Sequence, residues 1–170
     1  MFFKRFFPTY IFRSVESIPC ELLEKENIKG LIFDMDNTLV DYKYEYADEA
    51  RRWLQSVRQM GIKCCILSNT PRKNKAKQIA EKLDMGYIVN ASKPRIKGFN
   101  KAIELLGIDK ENVAIVGDQI FTDIWGGNRF GIKTILVKPI VTKEFFVTRI
   151  KRPLEKFVLN KYEKYNKGDK

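Results

Sequence analysis

The chain has 170 residues, of which 44% are hydrophobic and 31% charged, with a formal net charge of +11. That balance excludes pervasive disorder and suits one domain over 1–170, able to bury roughly two thirds of its unfolded surface without disulfide or metal staples. There is no histidine, so triads built on a His base and imidazole metal sites are excluded, and three cysteines without an even framework point to a reducing, cytoplasmic setting.

The first stretch, about 1–24, interleaves Phe2, Phe3, Phe6, Phe7, Tyr10 and Phe12 with Lys4, Arg5 and Arg13. Lys4, Arg5 and Pro8 interrupt it too early for a signal peptide, and no apolar run reaches the roughly 18 residues of a bilayer span. Rings mixed with cations suit an interfacial anchor on anionic lipid, or a surface that stacks bases and binds phosphates of single-stranded nucleic acid.

Short apolar runs then recur at 30–34, 63–68, 86–90, 112–118 and 133–137, each reading as a buried strand. Helical periodicity fills the intervals at 46–61, where Ala47, Trp53, Leu54, Val57 and Met60 share a face, at 75–84, and at 99–107 with Gly107 as C-cap. Strand alternating with helix predicts an α/β fold, an open, doubly wound parallel sheet of Rossmann-like form. Cys64, Cys65 and Trp53 read as core residues. The last stretch, about 141–170, is basic: residues 149–170 hold eight Lys or Arg against three acids, a net of +5.

Ligands of such sheets collect beyond the carboxyl ends of the strands. Asp34, Ser68, Lys93, Asp118 and Asp123 all fall there. Three carboxylates without imidazole or thiolate describe an oxygen-rich site for Mg²⁺, whose charge would offset the repulsion between Asp34 and Asp118 and let an anionic substrate approach. Lys93 and the backbone N–H groups of "DMDN" add donors for phosphate. Cysteine-based phosphatase chemistry is excluded, because the positions six residues after Cys20, Cys64 and Cys65 hold Glu26, Thr70 and Pro71 rather than Arg. No P-loop pattern occurs. Asp123 has a second reading as an N-cap of the helix that follows it, and Asn128 and Arg129 in "GGNRFG" read as helix-end and surface residues.

The stretches "DMDNT" (34–38), "LSNT" (67–70), "SKP" (92–94) and "GDQIFTD" (117–123) resemble, in order, the four motifs of the haloacid dehalogenase (HAD) superfamily of aspartate-nucleophile phosphatases. The resemblance implies that Asp34 is the nucleophile and Asp36 the general acid and base. It implies a metal held by the Asp34 carboxylate, the Asp36 backbone carbonyl and Asp118, with the phosphoryl group held by Ser68, Asn69 and Lys93. Thr38 and Asp123 take supporting places. Only 34 positions separate Asp34 from Ser68 and 25 separate Ser68 from Lys93, which leaves no room for the cap domains of larger members. The expected site is open and suits a phosphate on something large.

The stretches 14–40, 126–140 and 149–159 further resemble the small subclass IIIA proteins of the YqeG type, a group similar to phosphatidylglycerophosphate phosphatases. That likeness implies a Mg²⁺-dependent phosphatase with an anionic phospholipid substrate, peripheral at the inner membrane face. A nucleic-acid 3′ or 5′ end phosphatase and a non-enzymatic module binding RNA or ribosomes are the alternatives that the basic charge keeps open.

Overall fold

Leu31, Ile32 and Phe33 have no exposed surface, because the strand they form is covered on both faces, as parallel strands with crossover helices are. In the computed structural model, which describes residues 2–41, 43, 45–140 and 146–168, this strand, β2 (Gly30–Phe33), lies inside a parallel sheet. The other strands are β1 (Tyr10–Phe12), β3 (Lys63–Leu67), β4 (Gly86–Ile88), β5 (Val113–Gly117) and β6 (Lys133–Val137), in the order β1-β6-β5-β2-β3-β4. The chain runs outward from β2 through β3 to β4, then returns to β5 and β6 on the other side. The crevice between β2 and β5 is therefore the topological switch point.

The helices are α1 (Cys20–Lys25), α2 (Asp48–Gln59), α3 (Lys73–Lys82), α4 (Ile96–Leu106), α5 (Trp125–Phe130) and α6 (Phe146–Gly168). Alternation along β2 divides the core. Leu31 and Phe33 pack with Trp53, Leu54 and Val57 of α2 and Ile79 of α3. Ile32 packs with Phe99, Ala102 and Leu106 of α4 on the opposite face. The α4 pattern read from the sequence is the second of these stripes; in α2, Trp53, Leu54 and Val57 are buried as read, while Ala47 is exposed just ahead of the helix and Ala50 takes the buried place. Gly107 caps α4 with φ of 61°, in the left-handed region that suits glycine. Trp53 is a core residue whose indole N–H donates to the Ile18 carbonyl at 2.8 Å.

The sheet has one strand more than the five read from periodicity. Tyr10–Phe12 add a parallel edge strand against β6, too short to show a period of its own and held by the Thr9 N–H donating to the Thr134 carbonyl at 2.9 Å. Three aromatic rings before it, those of Phe3, Phe6 and Phe7, also pack inward. Phe6 is buried, with its ring 5.4 Å from those of Phe121 and Trp125, while Phe7 meets Tyr162 and Phe3 meets Phe157 of α6. An anchor needs its rings free for the headgroup region, and these complete a third cluster with Ile124, Leu136 and Val158. The basic C-terminal stretch is helical from Phe146, and it buries Glu155 and Val158; of that stretch, 141–145 and 169–170 lie outside the described residues. Among the described residues no helix is long and apolar enough to cross a membrane.

Candidate active site

Strand ends deliver the polar residues. Asp34 follows β2 directly and its N–H donates to the Val116 carbonyl at 2.9 Å, which continues the ladder one residue past the strand. Asp118 directly follows β5, and Ser68 follows β3 with its N–H donating to the Ile88 carbonyl at 2.9 Å. The loop after Asp34 folds back at once: Leu39 and Val40 N–H donate to the Met35 carbonyl at 3.1 and 3.2 Å, and Asn37 has φ of 63°, which its short polar side chain tolerates. This turn brings Thr38 beneath Asp118, so that its hydroxyl donates to Asp118 Oδ1 at 3.3 Å.

Asp34, Asp118 and Asp123 each present a carboxylate oxygen within 4.8 Å of the others, and all three residues are buried. Lys93 sits among them, its Nζ 2.6 Å from Asp34 Oδ1 and 2.7 Å from Asp123 Oδ1. Its side chain is 1% exposed, so a charge rarely found inside a protein is sustained by two opposite charges in contact with it. Burial alone would lower the Lys93 ammonium, but the Asp123 and Asp34 carboxylates outweigh it and hold its pKa above the usual value. Burial pushes Asp34 up to about 7, against the lowering effect of Lys93 and with a further upward push from Asp123.

The turn that carries Asp123 is unusual. Residues Ile120–Ile124 form one wide π-type turn, with Ile124 N–H donating to the Gln119 carbonyl, a geometry that recurs at functional sites. Asp123 does not cap the helix after it; its Oδ2 accepts from the backbone N–H of Gln119 at 3.1 Å, four residues earlier. Gly117 makes the space, because a Cβ there would fall 2.6 Å from the Asp123 Cβ and closer still to its carboxylate.

Asp36 is half-buried and turned another way. Burial raises its carboxyl, against the lowering effects of Lys93, Arg72 and a hydrogen bond with Ser68. Its carboxylate lies outside the group of three, which leaves that side chain available for proton transfer while a backbone carbonyl remains the atom expected to meet a metal. Asn69 is also differently employed than expected. Its Oδ1 accepts from the Lys93 N–H at 2.7 Å and its amide donates to the Lys93 carbonyl at 3.0 Å. Both side-chain groups thus hold the Lys93 backbone, and the Asn69 side chain positions that cation.

All eight residues singled out from the sequence meet at one sheet edge, through the contacts Thr38–Asp118, Lys93 with Asp34 and Asp123, Asn69–Lys93 and Asp36–Ser68. Arg72, whose charge reaches Asp36, was not singled out; a basic residue four positions after Ser68 in "SNTPR" was the available signal. Glu155 was missed as well. It is buried in α6 and accepts from the Ile120 N–H at 3.1 Å, fixing the start of the wide turn, and nothing in a basic helical stretch marks one acid for that task. Burial pushes the Cys64 and Cys65 thiols up to about 12, which makes both inert as nucleophiles near neutrality.

The donor set fits a hard divalent cation. Asp34, Asp118 and Asp123 could supply oxygen ligands in a space where one ammonium touches two of the three carboxylates, and Mg²⁺ prefers such carboxylates, with waters and substrate phosphate completing its shell.

Residues 44–131 match the haloacid dehalogenase-like hydrolase family, a span that holds Ser68, Lys93, Asp118 and Asp123 and begins after Asp34. The probable phosphatase YqeG of Bacillus subtilis is 37% identical over 158 residues, 92% of this chain and 91% of its own length. Phosphatidylglycerophosphate phosphatase 1, chloroplastic/mitochondrial, of Arabidopsis thaliana is 26% identical over 88% of this chain, which spans 46% of that longer protein. Among solved structures, an uncharacterized protein from Listeria monocytogenes serotype 4b superposes with a TM-score of 0.57 at 25% identity, over 69% of this chain and 84% of that one.

Proposed function

The chain belongs to the haloacid dehalogenase-like hydrolases and is a phosphatase, and from that premise we propose that it is a Mg²⁺-dependent phosphomonoesterase acting on phosphatidylglycerophosphate at an anionic membrane surface. The observation that carries the reading is the buried centre in which Lys93 touches both Asp34 and Asp123. Charge is concentrated there without histidine or a reactive thiol, so a phosphoryl group is the substrate moiety it suits.

In this reading Asp34 Oδ attacks phosphorus and the ester P–O bond breaks, its electron pair leaving with the alkoxide. Asp36 gives that alkoxide its proton, a task favoured by a carboxyl pKa raised by burial. Asp36, now ionised, takes a proton from water; the water oxygen attacks the phosphorus of aspartyl-phosphate and frees Asp34 and inorganic phosphate. Splitting one displacement into two is what a covalent nucleophile contributes. Ser68 and Lys93 hold the equatorial oxygens, and the Asn69 clamp keeps Lys93 in line. A bound Mg²⁺ supplies charge neutralisation for the approaching phosphate dianion.

The lipid substrate is supported by likeness to the Arabidopsis phosphatase along 88% of this chain and by an uncapped sheet edge. The net charge of +11 suits an anionic membrane, and it equally suits nucleic-acid ends, which are the second reading. The deciding assay is phosphate release from phosphatidylglycerophosphate in mixed micelles with Mg²⁺ and with EDTA, beside oligonucleotides phosphorylated at either end and soluble phosphomonoesters. We expect lipid to be preferred, EDTA to stop release, and Asp34→Asn to abolish it while unfolding at a normal temperature. Faster release from oligonucleotide ends replaces lipid with nucleic acid as the substrate. No metal-dependent release from any of them leaves a binding module as the reading.

A further inference from the structure

Asp118 is held by Thr38, and it is also part of the wall of a cavity of about 420 Å³. The remaining wall is mainly apolar: Ile11 of β1, Ile120 of the wide turn, Leu136 and Val137 at the end of β6, Pro139, and Leu159 of α6. Such a volume is within the range of small-molecule sites, roughly 300–1,000 Å³. The phosphoryl chemistry itself uses carboxylates, Lys93 and Ser68, and has no need of this wall.

We propose that the cavity holds the apolar portion of an acylated phosphate ester whose phosphoryl group is at Asp34, which makes α6 a substrate-binding element. The inference rests on the phosphomonoesterase reading above. Continuity selects the occupant, because the cavity and the carboxylate cluster share Asp118, so whatever fills one is well placed to be part of the molecule that reacts at the other. Cations are at hand as well as acids. Exposed Lys138 and Lys156 line this cavity beside Glu155 and Glu163, and Lys138 also lines a more polar one of about 650 Å³ that includes Arg13 and Thr38, so an acidic headgroup leaving the apolar wall has lysines within the lining to meet. A second copy of the chain is a poorer occupant, since a charge of +11 opposes self-association. On α6, Glu155, Leu159 and Glu163 recur every four residues on one face. Glu155 holds the wide turn, Leu159 completes the apolar wall, and Glu163 is at the exposed end.

Two measurements on the full chain test this. The first compares kcat/KM for dihexanoyl phosphatidylglycerophosphate with that for glycerol 3-phosphate, in the wild type and in Ile11→Asp and Leu159→Gln. Ile11 is 40% exposed on an edge strand, so its replacement spares the core. The ratio is expected to fall roughly tenfold in each variant, the loss that one or two buried methylene groups produce. An unchanged ratio overturns the proposal even if the wild type prefers lipid. The second titrates the protein with dihexanoyl phosphatidylglycerol and follows backbone amide resonances. Saturable shifts clustered at 11, 120, 136, 137 and 159 support the cavity as an acyl site whether or not lipid is turned over. Their absence overturns it, as does a concentration-dependent dimer that Ile11→Asp abolishes. Failure of the wild type to hydrolyse any acylated substrate, with those shifts present, counts against the catalytic reading alone.

Discussion

Lys93 holds the site together. Two buried carboxylates touch one buried ammonium at 2.6 and 2.7 Å, and removing the cation leaves both acids without compensation, a loss of about 3–5 kcal/mol. The pH dependence has a definite sign. Burial raises Asp34 to about 7 in the fold against about 3.9 unfolded, so its ionisation weakens the fold as pH rises through that interval. Lys93 is raised by its partners and stabilises below its unfolded pKa of about 10.4, losing that contribution only as pH climbs beyond it. In Lys93→Met the lowering influence on Asp34 is gone and its pKa rises further. The variant should therefore be most impaired at pH 8 and approach the wild type at pH 5, where Asp34 protonates. Thermal unfolding of both proteins in EDTA at the two values checks this, and an equal deficit at both would show that lost packing, not charge, is the cause.

At the scale of elements, the amino-terminal stretch is joined to the sheet by a side chain that its surroundings in "GGNRFG" made look routine. The Asn128 amide donates to the Arg5 and Phe7 carbonyls at 2.8 and 2.9 Å, and its Oδ1 accepts from the Thr134 hydroxyl at 3.2 Å. Thr134 in turn is paired with Thr9. One helix side chain thus satisfies the backbone just before β1. Asn128→Ala should cost about 1–3 kcal/mol by leaving these groups unsatisfied. Hydrogen exchange should show amides of 4–12 losing protection while those of β2 and β5 keep theirs. Uniform loss across the sheet would mean that β1 and β6 open only with the whole fold. Deleting 1–13, by contrast, removes the buried Phe6 as well as surface charge, so any change in lipid binding would mix the two effects.

For the whole molecule, charge is the feature that acts at a distance. In the proposed membrane reading, with the rings of Phe3, Phe6 and Phe7 packed against α6, the wide turn and α5, attraction to an anionic surface would come chiefly from Lys and Arg, each contributing on the order of 1 kcal/mol near the membrane. Binding to phosphatidylglycerol vesicles should then weaken steeply between about 0.1 and 1 M salt, as the Debye length falls from about 10 to 3 Å. The variant Lys164→Glu, which reverses an exposed charge of α6 away from the cavity, should weaken it further. Vesicle sedimentation at two salt concentrations measures both effects. Binding that salt leaves intact would instead indicate apolar insertion.

Much of this was legible in the residues. Apolar runs fixed the five strands from 30 to 137, and carboxylates and Lys93 at their ends marked the reactive edge, because a parallel sheet buried on both faces exposes its loops only there. What the linear order lacks is contact between distant positions. That Lys93 touches Asp34 and Asp123, that Asn69 is used by the Lys93 backbone, and that Glu155 anchors a turn 35 residues earlier are outcomes of packing. So is the fate of Phe3, Phe6 and Phe7. The stretch that holds them has the composition of a membrane anchor, yet an edge of β6 was open for pairing and an apolar face of α6 stood across from it. Packing these three rings against the fold was decided by the neighbours that tertiary structure supplied, not by any pattern within the stretch itself.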